Sequence, residues 1–184
     1  MQIKGKKAFS NFDINESVVS FDIFDTLVKR LVYEPHQVFS ILARSAKDKG
    51  YNLPENFVEL RIEAERVANR KCVSANIYEI YDKLAAVDEK TKKLLLDLEV
   101  QTEIELCVPN PEALEIFQRC VDEHKKVILI SDMYLTAELI KKILDNCKIT
   151  GYEKIFVSCD YRATKSKGSL FKIVFDELGI EAKE

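Results

Sequence analysis

Three short apolar runs in this sequence each end in residues able to do chemistry on an anion. Ser17-Val18-Val19-Ser20-Phe21 runs into Asp22, with Ile23, Phe24, Asp25, Thr26 and Leu27 following. Lys126-Val127-Ile128-Leu129-Ile130 runs into Ser131-Asp132. Lys154-Ile155-Phe156-Val157 runs into Ser158 and Asp160, and then into Thr164-Lys165-Ser166-Lys167-Gly168. A carboxylate can attack an electrophilic centre, a hydroxyl can hold a substrate oxygen, and an ammonium can offset the charge that two anions bring together. Taken singly these are common residues. Their joint placement carries the argument, because an open parallel sheet binds ligands in the crevice beyond the carboxyl ends of its strands.

The elements that must position them follow from hydrophobic spacing. Each run is brief, β-branched or aromatic and bounded by polar residues, the pattern of a buried parallel strand. Between the second and third runs, Leu139, Ile140, Ile143 and Leu144 recur at helical spacing behind Thr136 as N-cap, giving a βαβ unit with a right-handed crossover. A last helix runs from Gly168 to Leu178, with Leu170, Phe171, Val174 and Phe175 inward and Gly179 as its stop. From Pro35 to Glu123 the chain reads as almost entirely helical, with no convincing strand. Pro35, Pro54 and Pro111 stand where first-turn prolines belong. Five helices are expected there. The first carries Val38, Phe39, Ile41 and Leu42, and the second Phe57, Leu60, Ala64, Val67 and Ala68. The third is capped by Ser74 and carries Ile77, Ile80, Tyr81 and Leu84. The fourth is capped by Asp88 and runs through Leu94, Leu95, Leu98 and Ile104. The fifth opens at Asn110-Pro111 and carries Leu114, Phe117 and Val121. The Tyr78, Tyr81 and Leu84 stripe reads as core packing. The expected fold is α/β: a three-layer, Rossmann-like parallel sheet built from residues 1–33 and 124–184, with a helical domain, 34–123, inserted after the first strand.

Composition narrows the function classes. The chain has 184 residues, and 28 Lys+Arg against 31 Asp+Glu give a formal charge of −3. With both signs interspersed, that balance argues against a general nucleic-acid or anionic-membrane binder. No apolar run approaches the roughly 20 residues needed to span a bilayer. The basic segment Met1–Lys7 is followed by no apolar stretch of the signal-peptide kind, so a cytoplasmic protein is expected. The five cysteines, Cys72, Cys107, Cys120, Cys147 and Cys159, are widely spaced without a CxxC pair, and His36 and His124 lie far apart in the chain. Free buried thiols in a reducing compartment are expected, and a zinc site is not.

The segment from Val18 to Val28, centred on Phe21-Asp22-Ile23-Phe24-Asp25-Thr26-Leu27, resembles the first motif of the haloacid dehalogenase-like hydrolase superfamily. Val127-Ile128-Leu129-Ile130-Ser131-Asp132 resembles its second motif, an apolar strand ending in Ser or Thr. Lys165, with Phe171 six residues later in an amphipathic helix, resembles its third. The helical insertion resembles that superfamily's cap domain. The first two motifs together are most similar to a branch found with bacterial surface-polysaccharide biosynthesis. The resemblance implies a hydrolase, a magnesium-dependent phosphatase acting on a small phosphorylated metabolite or sugar phosphate. In it Asp22 is the nucleophile that forms an aspartyl-phosphate, Ser131 binds a phosphoryl oxygen, and Lys165 offsets charge on Asp22 and the phosphate. Thr26 supports the turn after the nucleophile or contacts the phosphate. Mg2+ is held by Asp22, by the backbone carbonyl of Phe24 and by acidic residues of a fourth motif. A hard cation and a lysine suit this chemistry, since carboxylate and phosphate repel at attack distance.

Two positions depart from the pattern. Phosphatases of the superfamily usually carry a second Asp two residues after the nucleophile, as general acid and base; here that residue is Phe24. Asp25 stands where the pattern usually has Gly. Dehalogenases of the superfamily have an aromatic residue at the position of Phe24 and work without metal. A metal-independent 2-haloacid dehalogenase is therefore the enzymatic alternative, and a catalytically weak module binding a phospholigand or a partner is the other. The fourth motif, due just after Gly179-Ile180, is not reached by Glu184. The expectation is a fragment of a longer protein, with weak magnesium binding and an exposed first-strand edge that favours a homodimer. Around the site, Lys167 competes with Lys165, Asp25 either replaces the missing acid or shapes the turn, and Asp132 either orients Ser131 or caps a helix. Asp160 either binds metal or forms an Asx turn, and Arg61, Arg66 and Arg70 either face the crevice or lie solvated on their helix.

Overall fold

The computed structural model describes residues 13–180; the basic segment Met1–Lys7 and the last expected core residues, 181–184, lie outside the described residues. The elements in chain order are β1 (Val18–Phe21), β2 (Val28–Arg30), α1 (Gln37–Asp48), α2 (Phe57–Lys71), α3 (Ile77–Asp82), α4 (Glu89–Leu106), β3 (Cys107–Pro109), α5 (Pro111–Asp122), β4 (Lys126–Ser131), α6 (Ala137–Asn146), β5 (Lys154–Val157), α7 (Ser158–Tyr161) and α8 (Ser169–Leu178). β1, β4 and β5 form one parallel sheet with β4 in the centre and β1 at an edge. Val18 pairs with Lys126 and Phe21 with Leu129, while Ile128 pairs with Lys154 and Ser131 with Val157.

The period of two along β4 divides the core. Val127 and Leu129 join a cluster with Phe117 and Cys120 of α5 and with Leu139, Ile140, Ile143 and Leu144 of α6. Ile128 and Ile130 join Phe156 under Leu170 and Val174 of α8. Helices therefore cover both faces of the sheet, the expected three-layer α/β arrangement. α5 packs against β4, and its Phe117 ring meets Phe21 edge-on at 5.4 Å between centroids. Gly151 makes this packing possible just before β5. Its φ is +97°, and a Cβ there would lie 2.8 Å from a Val121 methyl.

Three details between Pro35 and Glu123 differ from the sequence reading. Cys107–Pro109 is a strand, paired antiparallel with Val28–Arg30. Each partner has three residues, too few to show alternation, and the apolar spacing at Ile104 and Val108 continues the pattern of α4. The pair is the stalk through which the chain leaves the core and returns. The cap of α3 is Asn76, not Ser74: Asn76 accepts from the Glu79 N–H, and the Glu79 carboxylate accepts from the Asn76 N–H. A capping box needs Glu or Gln three residues on, which Asn76 has and Ser74 does not. Asp88 caps α4 as expected, accepting from the Thr91 N–H at 3.0 Å. Pro111 is at the first turn of α5, whereas Pro35 and Pro54 lie in the turns that lead into α1 and α2.

The helical insertion has a polar interior. Arg61 of α2 is fully buried and donates to both carboxylate oxygens of Glu99 in α4, at 2.9 and 2.7 Å. Glu99 also accepts from the Tyr81 hydroxyl at 2.8 Å. The Arg61 guanidinium lies over the rings of Phe39, Tyr81 and Tyr134. Removing one member of a buried, hydrogen-bonded pair costs roughly 3–5 kcal/mol, because the other charge is left without compensation. Arg61→Met and Glu99→Gln should each lower unfolding stability by that order in a denaturant titration. The double variant should lose less than the sum of the two, and strictly additive losses would show that the pair is not coupled.

Candidate functional site

β1 and β4 run parallel in register, so their carboxyl ends deliver Asp22 and Ser131 to the same edge of the sheet. Lys165, from the segment after α7, reaches this edge and donates from Nζ to Asp22 Oδ1 at 2.7 Å. The same oxygen accepts from the Ile23 N–H at 2.9 Å. No described group engages Asp22 Oδ2, which leaves one carboxylate oxygen directed by two donors on its neighbour. Lys165 itself is set by Asp132, whose two oxygens accept from the Lys165 N–H at 2.9 and 3.1 Å. Ser131, 2% exposed, closes the floor. Asp22, Phe24, Ser131 and Lys165 all line one cavity of about 880 Å³ between the sheet edge and the helical insertion.

The turn after Asp22 is tightly specified. Asp25 has φ +59°, a left-handed conformation that costs an L-residue about 1–2 kcal/mol but that Asp tolerates better than most. The Ile23 carbonyl accepts from the N–H groups of Thr26 and Val28. Asn110, at the return from the insertion, donates from its side chain to the Thr26 carbonyl at 2.7 Å, and from its backbone to the Leu27 carbonyl at 2.9 Å. The sequence marks Asn110 only as the start of a helix; its bracing of this turn depends on a contact across 84 residues that local pattern does not reveal. Thr26 does not line the cavity and enters the site through these backbone bonds.

Phe24 faces the cavity with the Arg30 guanidinium 4.3 Å from its ring centroid. Arg30 donates to Glu103 at 2.8 and 3.3 Å, and the Tyr134 hydroxyl donates to the same carboxylate at 3.4 Å. The position two residues after Asp22 is therefore an aromatic ring held by a cation, with no proton to give. Lys165, and not Lys167, contacts Asp22, although both line the cavity. Asp25 lines it as well. Asp160 points elsewhere and accepts from the Ala137 N–H at the start of α6, 2.8 Å away; Thr136, at the N-cap position, makes no side-chain cap bond.

The three arginines separate. Arg61 is buried against Glu99, Arg66 pairs with Glu63 on the surface, and Arg70 lines the cavity. The insertion is fastened to the core beside the site. Ser74 donates to Ser158 Oγ at 2.7 Å, Ser158 Oγ accepts from the Met133 N–H at 3.0 Å, and Ile77 N–H donates to the Tyr134 carbonyl at 2.8 Å. Arg162 forms a two-bond fork with Glu79 at 2.7 and 2.6 Å. All five cysteines are free. Burial pushes the Cys107 and Cys159 thiols up to about 12, so both stay protonated and unreactive near neutral pH.

No family model and no curated protein matches the chain. Solved structures do. L-2-haloacid dehalogenase from Xanthobacter autotrophicus superposes with a TM-score of 0.58 and 16% identity, covering 91% of this chain and 67% of that one. A protein from Thermotoga maritima assigned as a beta-phosphoglucomutase gives 0.57 and 17%, covering 89% and 71%. A protein from Bacillus subtilis assigned as a HAD-hydrolase, YfnB, solved with magnesium bound, gives 0.56 and 15%, covering 86% and 72%. The chain has the haloacid dehalogenase-like fold.

Magnesium fits these residues poorly. Among the described residues no group of three or more His, Cys, Asp or Glu side chains converges to hold a metal. Asp22 supplies one carboxylate and Phe24 a carbonyl, while both oxygens of Asp132 are engaged by Lys165. Magnesium bound by a single carboxylate keeps most of its water. Calorimetric titration of this chain with magnesium alone should therefore show no binding tighter than roughly millimolar; a micromolar site would contradict this account of the donor set.

Proposed function

We propose that the protein is a cytoplasmic hydrolase of the haloacid dehalogenase-like superfamily that acts on a small phosphate monoester, such as a sugar phosphate, through an aspartyl-phosphate on Asp22. The observation that carries this reading is the 2.7 Å contact between Lys165 Nζ and Asp22 Oδ1 at the carboxyl edge of the sheet. Oδ2 then attacks phosphorus in line with the departing ester oxygen, the phosphorus–oxygen bond to the alcohol breaks, and water hydrolyses the acyl-phosphate to regenerate Asp22. Near a protein surface, like unit charges 4 Å apart repel by roughly 4 kcal/mol, and an ammonium at the same distance offsets that amount. Lys165 stands where it can do so, and Ser131 is beside it to take a phosphoryl oxygen. The helical insertion serves as the cap that shapes the rest of the cavity. Among the described residues no helix is long and apolar enough to cross a membrane.

Phe24 sets the chemistry of the leaving group. Loss of a positioned general acid costs about 10²–10⁴ in rate, so an ester whose alcohol leaves readily as an anion should be hydrolysed and an alkyl ester much more slowly. The same residue favours a second reading, a 2-haloacid dehalogenase, since halide departs without a proton. Turnover of a nitrophenyl phosphate should exceed that of a simple alkyl phosphate by about 10²-fold or more, and Asp22→Asn should abolish it, by at least about 10³-fold. Unchanged turnover in Asp22→Asn would end the nucleophile assignment. Chloride release from a 2-chloro acid without phosphate turnover would select the dehalogenase. Thermal stabilisation by phosphate compounds with no product would indicate a binding module.

A further inference from the structure

Arg30 is a buried arginine with one nitrogen to spare. Its side chain is 8% exposed. Nε and Nη2 donate to the two Glu103 oxygens at 2.8 and 3.3 Å, and Nη2 also meets Met133 Sδ at 3.9 Å. No described group accepts from Nη1. Nor is Nη1 sealed in the interior: among the described residues, the one enclosed side-chain nitrogen or oxygen without a partner is Asn110 Oδ1. Arg30 borders the cavity that holds Asp22, and that is the open space this nitrogen can face.

Arg61 shows what an arginine used only for structure looks like here. It spends all three nitrogens, Nε and Nη2 on Glu99 and Nη1 on Glu65. Joining the stalk to α4 takes only the Glu103 fork, so structure accounts for two of the three Arg30 nitrogens. The guanidinium also has a defined place over the site. Its carbon lies 4.3 Å from the ring centroid of Phe24, two residues past Asp22. Met133, its other contact, is two residues past Ser131. Arg30 therefore spans the turns that follow β1 and β4. A donor fixed by a carboxylate fork and a ring needs no reorganisation when charge develops beside it.

We propose that Arg30 is a catalytic residue that receives the leaving group, with Nη1 donating a hydrogen bond to the ester oxygen as it departs. The inference rests on the reading of Asp22 as the nucleophile. As Asp22 Oδ2 attacks, the phosphorus–oxygen bond breaks with its electron pair on the alcohol oxygen. Nη1 holds that oxyanion, and water supplies the proton that completes the alcohol. The hydroxide so formed is neutralised by the proton released when water hydrolyses the acyl-phosphate. Arginine is not itself the acid, because its guanidinium stays protonated in proteins. Its contribution is a fixed donor where Phe24 has no proton to give.

Arg30→Met alone would leave Glu103 charged and buried without a partner. The informative variant is therefore Arg30→Met/Glu103→Gln, read beside Glu103→Gln, which keeps the guanidinium. Turnover is measured over phosphate esters graded by the acidity of their alcohols. Relative to Glu103→Gln, the double variant should lose about 10²-fold on an alkyl phosphate. It should lose much less on a nitrophenyl phosphate, whose leaving charge spreads over the ring. A merely structural loss would lower every ester alike, and an equal leaving-group dependence in the two variants overturns the proposal. A second readout needs no turnover: 4-nitrophenol is titrated spectroscopically with the wild-type chain in excess. The bound phenol should ionise at a lower pH than the free phenol, and this shift should vanish in the double variant. No shift in the wild type, or a shift that survives the loss of Arg30, also overturns the proposal. The two readings fail separately. Turnover that needs Asp22 but shows no leaving-group dependence on Arg30 would remove Arg30 and keep Asp22. An Arg30-dependent phenolate shift in a chain that hydrolyses no phosphate ester would keep the oxyanion site and remove the Asp22 reading.

Discussion

Asp22 and Lys165 carry opposite charges, lie 143 residues apart in the chain and meet at 2.7 Å. That contact needs three registers to be right at once. β1 must pair with β4 so that Asp22 emerges beside Ser131, and β4 must pair with β5 so that the segment after α7 returns over the same edge. Asp132 must then hold the Lys165 backbone so that its side chain turns inward. A one-residue slip of a strand would turn every side chain to the other face, and the alternation of Val127 and Leu129 against Ile128 and Ile130 resists such a slip by burying both faces of β4. The chemistry of the site is thus set by packing in the sheet beneath it.

The segment between β1 and β4 has to stand over that edge without loosening it. It leaves and returns through the paired strands β2 and β3, and Asn110 ties the return to the turn that follows Asp22. Its helices are joined internally by the Arg61–Glu99 pair and its extension to Tyr81. Arg30 and Glu103 join the stalk to α4 directly at the cavity wall, and the same guanidinium covers the Phe24 ring. The ring at the position two residues after Asp22 is thus held by the same polar network that joins the stalk to α4. On the opposite wall, Ser74, Glu79 and Arg162 close the insertion onto the core through exposed and half-buried bonds. Exposed ion pairs of this kind are individually modest.

Much of this was legible in the residues. The three core strands, α6 and α8 show their periods plainly, and the residues at the strand ends, Asp22, Ser131 and Lys165, do share one cavity. Asp88 announces α4, whereas the cap of α3, expected at Ser74, is Asn76, whose partner Glu79 completes a capping box. What could not be read depends on partners distant in sequence. β2 and β3 have three residues each and acquire meaning only from one another. Arg61 has the pattern of a solvated helix arginine until Glu99, 38 residues on, is placed against it. Asp160 resembles a local turn residue, yet it caps a helix that begins 23 residues earlier.

The central claim is that Asp22 accepts the transferred group. The most direct measurement is peptide mass spectrometry on this chain, acid-quenched during turnover of a nitrophenyl phosphate. The account expects the mass of one phosphoryl group on the peptide containing Asp22, removed by hydroxylamine as an acyl-phosphate is and missing in Asp22→Asn. Turnover with an unmodified Asp22 peptide, or with the phosphoryl group on another residue, would contradict it.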